Sequence, residues 1–298
     1  MATKWQQFSS GTYALLGASN IGVIVNDGEA LMIDTGIDKD TARKGLRAVE
    51  ALSVRLKALL ITHGHADHFG GAGWLVKRAH IQVYAAPLEG VFVAQPILEP
   101  LFLYNGAAPI AELCGKFTLS KDAVPLGGTL EPGTQIIEGF PLEIIPLPGH
   151  APEQVGIASG DTLYCGDALF PEETLKRHPI LFCADLDAWL DTLDKLPSLP
   201  YRYVIPGHGQ PPHDAAKLAK ANSARLQEIR ALTYEALNVP KEPADIVEAV
   251  AAHYDITFAA PQFFLLTLTT IQAALTSLQH AGEAEVFVEK NHLLWRRI

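Results

Sequence analysis

The segment His63-Gly64-His65-Ala66-Asp67-His68 puts three imidazoles and a carboxylate into six positions. Residues two apart cannot share a helical face, so His63 and His65 require extended backbone. An extended His-x-His can aim both rings at one metal ion. Asp67 and His68, at the start of the next helix, can turn toward a second. Gly64 reads as relieving crowding between the two rings, and Gly70-Gly71 as permitting close packing of the helix that follows. Downstream lie His150 in Pro148-Gly149-His150, Asp167 in Cys165-Gly166-Asp167 and His208 in Pro206-Gly207-His208-Gly209. Each is a lone metal-capable residue after an apolar strand, beside a glycine that lets the backbone turn. Singly, each reads more readily as a satisfied polar residue. Together they supply what the cluster lacks, because a catalytic ion needs several protein ligands and an open position.

The elements that must position these residues alternate. Strands are expected at 12–16, 21–25 and 30–33, a helix at 38–52, and an apolar strand at 57–61 ending directly before the histidines. A helix at 70–80 and a strand at 81–85 follow. The stretch 87–124, with Pro87, Pro96, Pro100 and Pro109 among many apolar residues, reads as short helices and loops. Further strands are expected at 134–137, 142–146, 154–158, 162–165 and 203–205, with a helix at 186–196. Beyond Asp214 the pattern changes to helices at 214–237, 243–253 and 262–281, then a hairpin within 283–297. The order predicts an α/β body over 1–213 and a C-terminal helical module over 214–298.

A chain of 298 residues can bury a full core. No run of eighteen apolar residues exists, so no membrane span is expected. Segment 1–10 is polar and lacks the basic start and apolar block of a signal peptide. Cys114, Cys165 and Cys183 share no metal-binding spacing, which suits free thiols and a cytoplasmic location. A formal charge of −10 speaks against a nucleic-acid surface over the whole chain.

The run Thr62-His63-Gly64-His65-Ala66-Asp67-His68-Phe69-Gly70-Gly71, followed in order by His150, Asp167 and His208, resembles the metallo-β-lactamase superfamily. Asp34, in Ile33-Asp34-Thr35-Gly36, matches the acidic residue this family places at the end of an early strand. The resemblance covers roughly residues 10 to 213. It implies an αβ/βα sandwich of four layers, with the site at one end of two packed sheets. It also implies that His63, His65 and His150 hold one ion and Asp67, His68 and His208 the other, with Asp167 bridging. Asp34 would steady the loop without touching metal.

Five imidazoles and two carboxylates suit two Zn²⁺ ions, and Fe or Mn would also fit. Two ions about 3.5–4 Å apart can share a bridging hydroxide, with a pKa lowered toward roughly 7, and stabilise an oxyanion. Asp67 could accept a proton, but serves better as a ligand. The expected function is a dinuclear hydrolase of glyoxalase II type, acting on a small acyl substrate such as a thioester, lactone or related ester or amide. No residue stands out to protonate the leaving group; His178, Tyr104 and Lys176 are candidates, each with an ordinary surface or packing role as the simpler reading. A thiolate needs no acid, which favours thioesters.

The same fold hosts phosphodiesterases, nucleases and iron redox enzymes, and a non-catalytic binding protein could keep it too, so fold alone names no substrate. Residues 87–124, with Val91-Phe92-Val93 and Leu101-Phe102-Leu103-Tyr104, are expected to wall a pocket, form a homodimer contact or pack in the core. In 262–281, Leu265, Leu268, Ile271, Leu275 and Leu278 mark an apolar side. Helices followed by a hairpin resemble a winged helix, yet 215–298 carries eight Lys or Arg against nine Asp or Glu. That balance offers no basic field for phosphates, so nucleic acid is not an expected partner.

Overall fold

The computed structural model describes residues 4–298; residues 1–3, the start of the polar segment 1–10, lie outside it. Strands β1 (Lys4–Ser9), β2 (Thr12–Leu16), β3 (Ile21–Asn26) and β4 (Glu29–Ile33) lead into helix α1 (Lys39–Ala51). Then come β5 (Arg55–Ile61), α2 (Ala66–Phe69), α3 (Ala72–Ala79), β6 (Gln82–Ala85), α4 (Pro87–Ala94), α5 (Leu98–Leu103) and β7 (Gly128–Thr129). The next stretch holds β8 (Gly133–Ile137), β9 (Phe140–Pro146), β10 (Val155–Ser159), β11 (Thr162–Gly166), α6 (Glu172–Arg177), α7 (Leu186–Lys195) and β12 (Tyr203–Pro206). Helices α8 (Ala215–Ala236), α9 (Pro243–His253) and α10 (Pro261–His280) precede the hairpin β13 (Ala284–Glu289) and β14 (His292–Arg297). Among the described residues, no helix is long and apolar enough to cross a membrane.

Two sheets carry the body, one of seven strands in the order β1 to β7, the other ordered β12-β11-β10-β9-β8. Alternation along β4 shows how they stack. Ala30 and Met32 join Leu46 and Val49 of α1 and Leu75 of α3 on the outer side. Leu31 and Ile33 face Leu142, Ile144, Ile157 and Tyr164 of the second sheet. Both faces of such a strand are buried, which is why its sequence is a continuous apolar run. On the far side of the second sheet, Leu163, Cys165 and Val204 pack against Trp189 and Leu193 of α7 and Leu218 and Leu226 of α8. The result is a four-layer αβ/βα sandwich.

Helix α8 links this body to the C-terminal helices, since its Ile229 packs with Val247, Val250, Ile271 and Leu275 in a separate cluster. On α10, Ile271, Leu275 and Leu278 are fully buried, as their spacing predicts. Leu265 and Leu268 are only partly covered; Thr267 and Thr270 are buried instead.

Strand direction brings the site together. β9 and β11 both run antiparallel to β10, and β12 runs parallel to β11. Their carboxyl ends, which precede His150, Asp167 and His208, therefore reach one edge of the sheet. β4 and β5 are parallel as well, delivering Asp34 and the histidine cluster side by side.

Candidate metal centre

The helix expected at 70–80 starts earlier and is broken in two. α2 begins at Ala66, with His65 still extended at φ −84 and ψ 140. His63 and His65 thus leave β5 in extended backbone, while Asp67 and His68 sit in the first helical turn. Gly64 has a different neighbour from the one expected. A Cβ there would lie 2.6 Å from Phe92 Cβ and 3.0 Å from the Glu89 carbonyl, so the crowding comes from α4, not from the two rings. Gly207 matters through contact as well, because a Cβ would stand 2.1 Å from Asp167 Oδ1.

All seven residues singled out in the sequence converge. His63, His65 and His150 each offer an atom within 4.8 Å of the others, as do His63, His68 and Asp167, and Asp67, His68 and His208. His150 Nε2 lies 3.0 Å from His65 Nδ1, and His68 Nε2 lies 3.3 Å from His208 Nε2. Asp167 spans the two groups, with Oδ2 3.5 Å from His150 Nε2 and 3.2 Å from His208 Nε2, and Oδ1 3.4 Å from His68 Nε2. His63 Nε2 and Asp167 Oδ1 are buried with no hydrogen-bond partner. Buried polar atoms are ordinarily satisfied, so two orphans aimed into a ring of imidazoles fit an ion between them. Asp67, His68 and His208 offer a further set of donors of the same chemistry.

The outward nitrogens explain why the inward ones are bare. Asp34 Oδ1 accepts from the Thr62 amide at 2.9 Å, and its Oδ2 accepts from Thr62 Oγ1 at 2.8 Å. The same Oδ2 lies 2.9 Å from His68 Nδ1 and so takes its proton. Having given its proton to Asp34, Thr62 Oγ1 can accept from His63 Nδ1, 3.1 Å away. His150 Nδ1 lies 3.1 Å from the Phe182 carbonyl, and His208 Nδ1 meets the Ala18 carbonyl. Each of these four rings is held in the tautomer that leaves Nε2 free to ligate. Asp34 adopts φ 58, a left-handed conformation uncommon for a residue other than glycine.

Charge divides the centre in two. Burial pushes His65 down to about 4, His150 to about 3 and His63 well below the ordinary imidazole value. These three are neutral near pH 7. Burial opposes charge on His68 and His208 too, but Asp167 and Asp67 outweigh it, raising His68 well up and His208 to about 9. Burial alone would raise Asp167; His208 and His68 instead hold it well below the usual carboxylate range. An ion entering here displaces bound protons, so affinity weakens with acidity.

Three supports had no signal in residue spacing. Glu89, 1% exposed, accepts from the Gly64 amide at 2.7 Å and from the Glu153 amide at 2.8 Å. Glu99 of α5 accepts from the Ala66 amide at 2.9 Å. Together they clamp alternate amides of the histidine loop. The third is Thr270 of α10, which donates to the Leu181 carbonyl at 2.8 Å and accepts from the Cys183 amide at 3.2 Å. Between those two lies Phe182, whose carbonyl faces His150. Thr270→Val keeps the shape but orphans both backbone groups, at about 1–3 kcal/mol of stability. It should also weaken metal binding by about tenfold through His150. Urea unfolding and a metal titration check this; unchanged metal affinity would show that α10 does not steady the centre.

The centre opens on a cleft of about 1440 Å³ lined by His65, Asp67, His150, Asp167 and His208. Phe92, Phe102 and Leu103 of α4 and α5 also line it, while Val93 is core. Of the residues considered for the leaving group, His178 lines the cleft; Tyr104 and Lys176 do not.

The sequence model of the Metallo-beta-lactamase superfamily matches residues 14–208. The chain is 28% identical over 143 residues to hydroxyacylglutathione hydrolase GloC of Haemophilus influenzae, covering 47% of this chain and 61% of that protein. It is 28% identical over 195 residues to the probable metallo-hydrolase YybB of Bacillus subtilis, covering 62% and 79%. Against the hydroxyacylglutathione hydrolase of Xylella fastidiosa it is 26% identical over 284 residues, covering 91% and 90%. The fold is similar to a metallo-beta-lactamase family protein of Thermus thermophilus, with TM-score 0.74 at 20% identity, covering 97% and 99%. A beta-lactamase domain protein of Burkholderia ambifaria gives 0.76 at 18%, covering 99% and 94%. With residues 14–208 of its 298 matched by the family, and a layered sandwich around the site, the chain, which spans 61% of the first of these relatives, belongs to the metallo-β-lactamase superfamily.

Proposed function

We propose that the protein is a dinuclear hydrolase of thioesters or similarly activated small acyl compounds. His63, His65 and His150 would hold one ion and Asp67, His68 and His208 the other, with Asp167 placed to serve either. The observation that carries this is the placement of Asp167 between two histidine groups that face one cleft. The bound ions would supply a nucleophile from water at neutral pH and a Lewis acid for the oxyanion. Zn²⁺ suits the donor set.

The chain's own residues do the rest. Asp34, Thr62, Phe182 and Ala18 fix the ring tautomers, and Glu89 and Glu99 hold the loop. Of the three residues considered for the leaving group, His178 alone lines the cleft. His178 is pushed below its ordinary value by burial and by Arg177, so it is neutral near pH 7. A thiolate departs without a proton, and relatives named hydroxyacylglutathione hydrolase support the same choice. Arg296 is paired with Glu285 and Arg297 donates to the Glu235 carbonyl, which leaves little basic surface on the hairpin for nucleic acid. Cys114, Cys165 and Cys183 are free, in keeping with a reducing cytoplasm.

Metal analysis of purified protein, then a panel of thioesters, lactones, β-lactams and phosphodiesters, tests this reading. About two equivalents of metal and preferential thioester turnover are expected. Fewer than about one equivalent, with no turnover after Zn²⁺, Mn²⁺ or Fe²⁺ is added, would overturn it.

A further inference from the structure

We propose that the cleft beside the metal centre is an acyl-chain site, taking substrates whose acyl group is long and apolar. This rests on the hydrolase reading above and replaces its small acyl group with a long one. The cleft, at about 1440 Å³, exceeds the roughly 300–1,000 Å³ usual for small-molecule pockets. Apolar side chains make up most of its walls, from the metal loop outward. On one side Phe92 packs against Gly64, and its ring lies 5.3 Å from that of Phe102. On the other, the Phe182 ring lies 5.2 Å from the His65 ring, and Phe258, Phe263 and Leu266 continue the wall toward α10.

Exposure points the same way. Phe102 at 67%, Phe117 at 47% and Phe263 at 44% are the exposed phenylalanines among the described residues, and all three line this cleft. Scattered exposed apolar residues need no explanation, but aromatic side chains gathered around one opening mark a binding surface. The rim is mixed with a slight acidic excess: Arg177 and Lys217 stand with Glu172, Glu173 and Asp214. Such a rim does not select a polyanion, so apolar contact governs recognition. The reacting carbonyl sits at the histidines, and the chain lies along the phenylalanine walls.

The test uses the full chain loaded with Zn²⁺ and a series of acetyl, hexanoyl, decanoyl and tetradecanoyl thioesters. kcat/KM should climb by about fourfold per methylene, equivalent to ~0.8 kcal/mol each, until the chain fills the cleft. Phe102→Ser combined with Phe263→Ser should flatten that slope, and both positions are exposed enough for the variant to fold. A second readout is calorimetric binding of decanoate and acetate to metal-free protein, where decanoate alone should bind. Turnover with a flat series overturns the acyl site while leaving the hydrolase reading intact. Chain-length-dependent binding with no turnover of any thioester overturns the hydrolase reading and supports the acyl site. Loss of decanoate binding together with a dimer in sedimentation assigns the phenylalanine walls to a second copy and overturns the proposal.

Discussion

Asp167→Ala should leave a folded chain that turns over substrate at least about a thousandfold more slowly than the parent. Asp167 is a carboxylate in contact with both histidine groups, meeting His68 and His208 on one side and His150 on the other. On the proposed dinuclear reading, removing it would take away a donor available to both ions and a negative charge that would balance them. His65→Ala is its counterpart. That side chain belongs to a single group, with His63 and His150. The two variants should therefore differ in stoichiometry: His65→Ala should keep about one ion, on Asp67, His68 and His208, while Asp167→Ala should hold both weakly. Metal content after desalting, circular dichroism and thioester turnover separate these outcomes. Full turnover in either variant, or unchanged metal content in both, would remove Asp167 and His65 from their proposed roles.

Much of the site could be read because its chemistry is local. Strands β2, β4, β5, β9 and β11 announce themselves as apolar runs, and each metal-capable residue stands in the loop or first helical turn that follows a strand. What could not be read was how far apart in sequence the supports lie. Glu89 and Glu99 sit among prolines and apolar residues with nothing to mark them as partners of Gly64 and Ala66. Their role exists only because α4 and α5 fold back over the loop. Thr270 was hidden for a related reason. Helical periodicity weights leucines, so it finds Ile271, Leu275 and Leu278 but passes over a buried threonine that serves another segment. Helix α6 is short and carries four charged residues in six, so periodicity gave no handle on it. The direction of β9, β11 and β12 is a tertiary fact as well. It alone turns three scattered residues into one site.

Exchanging one oxygen of Asp34 for an amide nitrogen should weaken metal binding by about 10–100-fold while leaving the fold nearly as stable. The carboxylate serves three donors: the Thr62 amide, Thr62 Oγ1 and His68 Nδ1. In Asp34→Asn the amide NH₂ must face one of the two sides. Turned toward His68, it donates to Nδ1 and drives the ring's proton to Nε2, the nitrogen needed for metal. Turned the other way, it confronts the Thr62 backbone N–H, donor against donor. The first arrangement keeps the backbone satisfied and should prevail. Asparagine tolerates the φ of 58 found here, so the loop is not strained further. Asp34→Ala behaves differently. It leaves His68 and the Thr62 amide without partners in a site where Asp34 is 2% exposed, and should cost about 3–5 kcal/mol of stability. Urea midpoints therefore rank the parent and Asp34→Asn together, above Asp34→Ala, while metal titration ranks the parent alone above both. An Asp34→Asn protein that binds metal as tightly as the parent would show that the tautomer of His68 is set by something other than Asp34.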